Sequence, residues 1–546
     1  MKKLTALLLM ALLGVGFLAA CQTEQAAPEV PAAEAAQPAP AQPAPAPAEV
    51  APGEETIVVI RVTGDPVGMI PNHRADDNGY GIHQNLYHRL AKLDAHHTPI
   101  PDLAHSWDVS EDGYVITFHL RDDIFWHDGV QVTSHDVKYT FDTIKASEGY
   151  FFHPQMVRVD LIETPDDHTV VFYMNTVDVG FIARLAWYGT FVLPMHILDD
   201  GQGYSWADHP TNREGTIGSG PFMFYDMRMG VGTTLMANPN HADGRPIVDR
   251  LVYQIIPDDA TAVQALINGE IDWLGGTPAP MLPGVQGNPD IRLDRNTFPS
   301  PVRLLFRVDS YPVDNPVVRR AISMTIPRAD ISERLFNGIQ APEYNMYPSL
   351  IAWVTNDQDR APELDIAGAR ALLEEHGFVA DSDGDFIRGI TKTHFSTGMN
   401  PDIGRLFQAS AREAGIEIIL ESLDSAAWSQ KVGVERDFQI AMQGGNMGPD
   451  PSEMMSIFGT GGARNHMGFS NEEVDELLRR GGMVGDPDIR RGYYWEVQRI
   501  MAEELVHVPI VAFAHYEASI ARLRNIPIEG AGRWGWAEWS FAYKAD

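Results

Sequence analysis

Residues 250–273 read RLVYQIIPDDATAVQALINGEIDW, and the order of residue types in this stretch leaves few architectures open. Positions 251–256 form an apolar run rich in β-branched and aromatic residues, which predicts a buried strand. Pro257 stops it, and Asp258 or Asp259 can accept hydrogen bonds from the free N–H groups that open a helix. Val263, Leu266 and Ile267 share one face of that helix, and Gly269 offers the left-handed residue that ends it. Residues 270–273 then begin a second strand. This spacing predicts a right-handed parallel crossover, the unit from which three-layer α/β domains are built.

A chain of 546 residues has room for two or three such domains. Its 74 Asp and Glu against 41 Lys and Arg give a net charge of −33, which argues against nucleic acid and anionic membrane surfaces as partners of the folded part, because both would be repelled. The single cysteine, Cys21, excludes disulfides within the chain and Cys-rich zinc sites. It closes a segment made of Met1-Lys2-Lys3, an apolar run over 4–20, and Leu18-Ala19-Ala20. That arrangement resembles a bacterial lipoprotein signal, which implies that Cys21 is lipidated; an ordinary secretory signal with an incidental Cys is the alternative. The apolar run is short of the ~20 residues a membrane span needs. Residues 22–53 are almost wholly Ala, Pro, Glu and Gln, so they cannot bury enough apolar surface to fold and read as an extended tether.

Beyond the tether, the pattern predicts a strand at 56–62, a helix over 81–93, and an alternating strand at 114–121 with Ile116, Phe118 and Leu120 on one face. A turn at 125–129 holds His127, which reads as structural rather than metal-ligating, and Thr133-Ser134 opens the next helix. Further helices are expected at 317–325 (capped by Asp314-Asn315-Pro316), 328–336, 367–376, 402–414 and 488–505, with a capping box at Ser470-Asn471-Glu472-Glu473. Strands are expected at 302–308, 416–423, 438–442 and 508–513. Residues 381–385 imitate the start of a calcium loop, but Phe386 stands where glycine is required and Lys392 where the bidentate acid belongs, so an acidic turn is the reading. No HExxH, GxSxG or GxxxxGK[ST] occurs and no thiol is available as a nucleophile. The GxGxxG at 530–535 lies too near the end of the chain for a dinucleotide site, and His96-His97 is an isolated pair, so neither cofactor nor metal is expected.

IPDDATAVQALINGEIDW resembles the core signature of the extracytoplasmic solute-binding proteins of the dipeptide/oligopeptide class, which feed ABC importers. PDLAHSW at 101–107, DGYVITFHLR at 112–121, FWHDG at 125–129 and TSHDVKYTFDTI at 133–144 resemble family motifs in the same order, as do IGSGPF at 217–222 and NPVVRRAISMTIPRADISERLFNG at 315–338. The resemblance implies an α/β, two-lobed periplasmic-binding-protein-like fold of mixed sheets flanked by helices, with an extra small domain inserted in the first lobe. The first lobe would comprise 54–98, 214–300 and a return at 510–546, with the insertion at 99–213 and the second lobe at 301–509. It also implies a monomeric, non-catalytic receptor outside the cytoplasm, anchored to the membrane by lipid, that traps a peptide or other small solute and hands it to permease subunits. A nickel chelate, haem, sugar oligomer or opine, or a secreted hydrolase, are the alternatives.

A buried peptide needs an acid for its α-ammonium group. In related peptide binders an aspartate after the penultimate strand serves, and Asp450 of GPDP is the matching position; Asp450-Pro451 fits a helix cap equally. Asn446 and Met447 would line the same loop. Dipeptide binders carry a basic residue near 394–399, whereas this chain reads HFSTGMNPD, which favours longer peptides or another solute. Arg303 and Arg307 are candidate carboxylate partners, and Trp428 either stacks on the ligand or is a buried aromatic.

Overall fold

In the computed structural model, which describes residues 55–546 apart from 74–75, 95–96, 188–189, 527–538, 540–541 and 546, the strand–helix–strand unit forms as its residue order requires. Arg250–Ile255 is a strand, Asp259–Ile267 a helix and Trp273–Thr277 a second strand. Asp258 caps the helix by accepting a hydrogen bond from the Thr261 N–H, and Gly269 has φ +73°. Val263 and Leu266 are buried; Ile267, expected on the same face, is exposed. Cys21, the 22–53 tether, His96, the glycine-rich 530–535, Trp534 and Trp536 lie outside the described residues.

Both strands run parallel to Ile57–Val62, which lies between them. They belong to a seven-stranded mixed sheet in the order Ile291–Thr297, Ala514–Ile520, Trp273–Thr277, Ile57–Val62, Arg250–Ile255, Gly232–Ala237, Phe222–Arg228. A four-stranded antiparallel sheet over 104–174 shares its hydrophobic core. A five-stranded sheet, in the order Ile416–Leu423, Ile387–Phe395, Ile440–Gln443, Val302–Phe306, His507–Val511, carries a second, separate core. Two short connections, 298–301 and 512–513, pass from the first of these two lobes to the second and back. A connection this short and doubled leaves the lobes free to rock about it and little else.

Some expectations need correction. The helix expected over 81–93 ends at Leu86, because Tyr87 is extended and its hydroxyl donates to the Met69 carbonyl; residues 91–93 pair instead with Pro99–Pro101. The box at 470–473 caps from Asn471, not Ser470: the Asn471 side chain accepts from the N–H groups of Glu473 and Val474. The strand Ala514–Ile520, deep in the seven-stranded sheet, has no counterpart among the expected strands. Gly218 and Gly220 are demanded by close approach rather than by a left-handed turn, since a β-carbon at Gly218 would fall 1.9 Å from the Leu86 carbonyl oxygen. His127 locks that contact, accepting from the Gly218 N–H and donating to the Gly220 carbonyl; burial pushes it down to about 4, so it stays neutral.

Candidate functional site

A cavity of about 810 Å³ opens between the lobes. Thr63, Asn78, Gly276 to Met281 and His515 wall it from the first lobe, Phe336, Gly398 and Met399 from the second, and Phe513 from the connection. It sits at the carboxyl ends of the parallel strands Ile57–Val62 and Trp273–Thr277, the edge at which open α/β sheets hold ligands. Its volume falls in the roughly 300–1,000 Å³ range of small-molecule sites. None of the six ligand-binding candidates lines it.

Four of those candidates meet elsewhere in the second lobe, around the loop that follows Ile440–Gln443. Arg303 lies on Val302–Phe306, a strand paired antiparallel on both edges and buried from Arg303 to Phe306. Its side chain is only 1% exposed. Nη1 donates to the Gly445 carbonyl at 2.8 Å, Nε has no partner among the described residues, and no carboxylate lies within ion-pair distance. Burial, with Arg464 alongside, pushes Arg303 down to about 9. Arg464 donates to the next carbonyl, that of Asn446, so two guanidinium groups converge on one glycine-rich turn. The Asn446 side chain accepts from the Gly448 N–H at 2.6 Å, and buried Met447 ties the loop to the lobe connection through the Pro299 carbonyl at 2.8 Å.

Asp450 is 7% exposed, and its charge is already matched. Its carboxylate accepts from Arg490 Nη2 at 2.6 Å and from the Ser452 N–H at 2.9 Å, so it caps the short helical turn Pro451–Glu453. Arg490 also stands over the rings of Trp353 and Tyr494. Trp428 packs in the second core, 4.6 Å from the Phe395 ring and nearly parallel to it. Arg307 is drawn away to Asp309 at 2.6 Å and to the His466 carbonyl.

The lobes touch beside Asp450. Arg184, on Phe181–Leu185 near the four-stranded sheet, pairs with buried Asp178 and reaches across to Ser452 Oγ at 2.9 Å and Glu453 Oε1 at 3.4 Å. The Val179 N–H donates to the Gly482 carbonyl at 3.1 Å. Gly180 makes this approach possible, because a β-carbon there would fall 2.2 Å from Ser452 Oγ. Arg184, Arg464 and Arg490 were not singled out from the sequence. Their partners lie up to 269 residues away, and no local pattern signals such a pairing.

The profile of the bacterial extracellular solute-binding proteins, family 5 Middle, matches residues 98–466, well over half of the chain. This chain belongs to that family. The solute-binding protein is 26% identical over 475 residues to haem-binding protein A of Haemophilus influenzae, covering 82% of this chain and 85% of that one. It is also 26% identical over 478 residues to di/tripeptide-binding protein 2 of Pseudomonas aeruginosa, covering 81% and 86%. In three dimensions it is similar to the ABC transporter substrate-binding protein CtaP of Listeria monocytogenes, with a TM-score of 0.80 and 24% identity over 90% of this chain and all of that one. The family binds solutes outside the cytoplasm and is not enzymatic. The two-lobed α/β fold is that of the family.

Proposed function

We propose that this protein is the receptor of an ABC importer, that it captures peptides as its lobes close, and that it presents them to the permease while tethered through a lipid on Cys21. The observation that supports a captured solute is the 810 Å³ cavity, walled by strand ends of the first lobe and by Phe336, Gly398 and Met399 of the second. A peptide suits such walls, because its N–H and C=O groups need partners when buried and backbone edges supply them without reading side chains. The likeness to a di/tripeptide-binding protein points the same way.

One observation favours a second reading, a non-peptide solute of the kind bound by the haem-binding relative. The acid that would meet a peptide's α-ammonium group, Asp450, is held by Arg490 and by a helix cap. Ammonium binding there requires Arg490 to yield. Mass spectrometry of whatever co-purifies, released by denaturing the full chain, tests both readings. Short peptides are the expected result, with binding and no turnover when added back. A tetrapyrrole, metal chelate or oligosaccharide in their place overturns the peptide assignment.

A further inference from the structure

Six arginines are buried among the described residues, and four of them pair with a carboxylate. Arg61 meets Asp259, Arg184 meets Asp178, Arg319 meets Glu504 and Arg490 meets Asp450. Arg328 donates to three backbone carbonyls, those of Glu343, Pro362 and Pro509, and lies over the Tyr344 ring. Arg303 has one carbonyl only. Composition does not explain this, since the chain carries 33 more acids than bases.

The neighbours of Arg303 repeat the imbalance. Asn446 Nδ2, His466 Nδ1 and both ring nitrogens of His507 are buried without partners among the described residues. His507 lies on the adjacent strand, opposite Leu305, and burial beside Arg303 keeps it neutral. Arg464, the second guanidinium, draws toward Glu453, but that carboxylate is shared with Arg184 of the other lobe. Arg303 Nε and Asn446 Nδ2 are donors, while each neutral imidazole offers one donor and one acceptor, so the cluster holds more donors than acceptors, and a buried donor without a partner costs about 1–3 kcal/mol. Gly445 lies against the guanidinium: a β-carbon there would be in contact with it, 3.6 Å from Arg303 Nη2.

We propose that Arg303 and Arg464, with the Gly444–Gly445–Asn446 turn, form a subsite for a carboxylate carried by the solute. A carboxylate offers about four acceptor directions and matches the fork of a guanidinium, which is the shortage this cluster shows. The subsite does not line the 810 Å³ cavity, so the proposal rests on the solute-binding reading rather than on that cavity, and it narrows the solute to anions, whether peptide or not. Asp450 and Arg490 neutralise each other next to the subsite, so its net charge stays positive.

Calorimetric titration of the full chain tests this with probes of defined charge: acetate, inorganic phosphate, and trialanine as free acid and as C-terminal amide. Acetate is expected to bind the wild type, and Arg303→Met and Arg464→Gln are each expected to weaken it about tenfold or more. The free acid is expected to bind about tenfold more tightly than the amide, with that ratio falling to about one in Arg303→Met. Circular dichroism checks that the variants fold, and Arg303→Lys, which keeps the charge but not the fork, should fall between them and the wild type. Phosphate and acetate binding with equal affinity for acid and amide overturns the proposal in favour of a free-ion site. Binding of none of the small anions, or no response to Arg303→Met, overturns it outright. Acetate binding lost in Arg303→Met while neither tripeptide binds supports the subsite and sinks only the peptide reading.

Discussion

Lys392→Met offers a measurable test of how the second lobe is packed. Lys392 lies on Ile387–Phe395 with no exposed surface, and Nζ has no partner among the described residues. A β-carbon on Gly404, in the helix Asn400–Glu413 above it, would stand 3.1 Å from Nζ, and the nearest ionisable group along its strand, His394, is itself pushed down to about 4 and neutral. Burial lowers the amine from 10.5 to about 7. At about 1.36 kcal/mol per pH unit, that drop corresponds to about 5 kcal/mol against folding. The sign follows from proton counting. Above pH 10.5 neither state holds the proton and the penalty is absent. Between 10.5 and 7 the unfolded chain holds it and the folded chain does not, so stability falls as pH falls; below 7 the full penalty remains. Methionine fills nearly the same volume without a charge, so Lys392→Met should be more stable than wild type by about 4–5 kcal/mol near pH 6 and by about 1 kcal/mol near pH 10. Urea unfolding of both proteins at pH 6, 8 and 10, followed by circular dichroism, reads the gap directly. A gap that does not narrow toward alkaline pH would refute the burial of a neutral amine at this position.

Asp450→Ala should lower the melting temperature markedly, because it strands Arg490 in the interior at about 3–5 kcal/mol and removes a cap; thermal unfolding checks it, and an unchanged melting temperature would refute the buried pair. Gly180→Val should hold the lobes apart by driving a side chain into Ser452, so small-angle scattering should show a larger radius and less ligand should co-purify; wild-type values for both would refute the close approach. Trp428→Ala should cost about 3–5 kcal/mol of stability and leave solute affinity unchanged, as for a core ring stacked on Phe395. Lost affinity without lost stability would return Trp428 to the ligand.

What the sequence revealed and what it hid follow from how far each signal reaches along the chain. The unit at 250–273 was legible because strand, stop, cap and left-handed glycine sit within one short window. The strand Ala514–Ile520 was missed although Ala514, Tyr516, Ala518 and Ile520 alternate with polar residues; such alternation marks a sheet with one wet face, whereas here His515, Glu517 and Ser519 are buried as well. Glu517 is satisfied by His515, by Asn296 and by the Gly276 N–H, groups up to 241 residues away, so the burial of this polar face is not visible in the local pattern. Asp450 shows the same limit at the site. The GPDP context announced a cap, which is present, but Arg490 arrives from a helix 40 residues on, and only the fold reveals that the charge is taken.

Lys392 and Arg303 show why burial alone does not identify a site. Both are cations held in the second lobe without a carboxylate, and both lose basicity to desolvation. Lys392 Nζ is packed against Gly404 of a helix and the Leu420 side chain, so its burial is a packing cost. Arg303 at about 9 stays charged at neutral pH, and it shares its surroundings with four unpartnered buried nitrogens, a second guanidinium and the Gly444–Gly445 turn. A single Asp or Glu in that turn could have satisfied the cluster, in a chain otherwise full of acids. Stability is commonly given up where function requires an incomplete set of partners. The deficit at Arg303 has the form of a missing anion, and that distinguishes it from the deficit at Lys392.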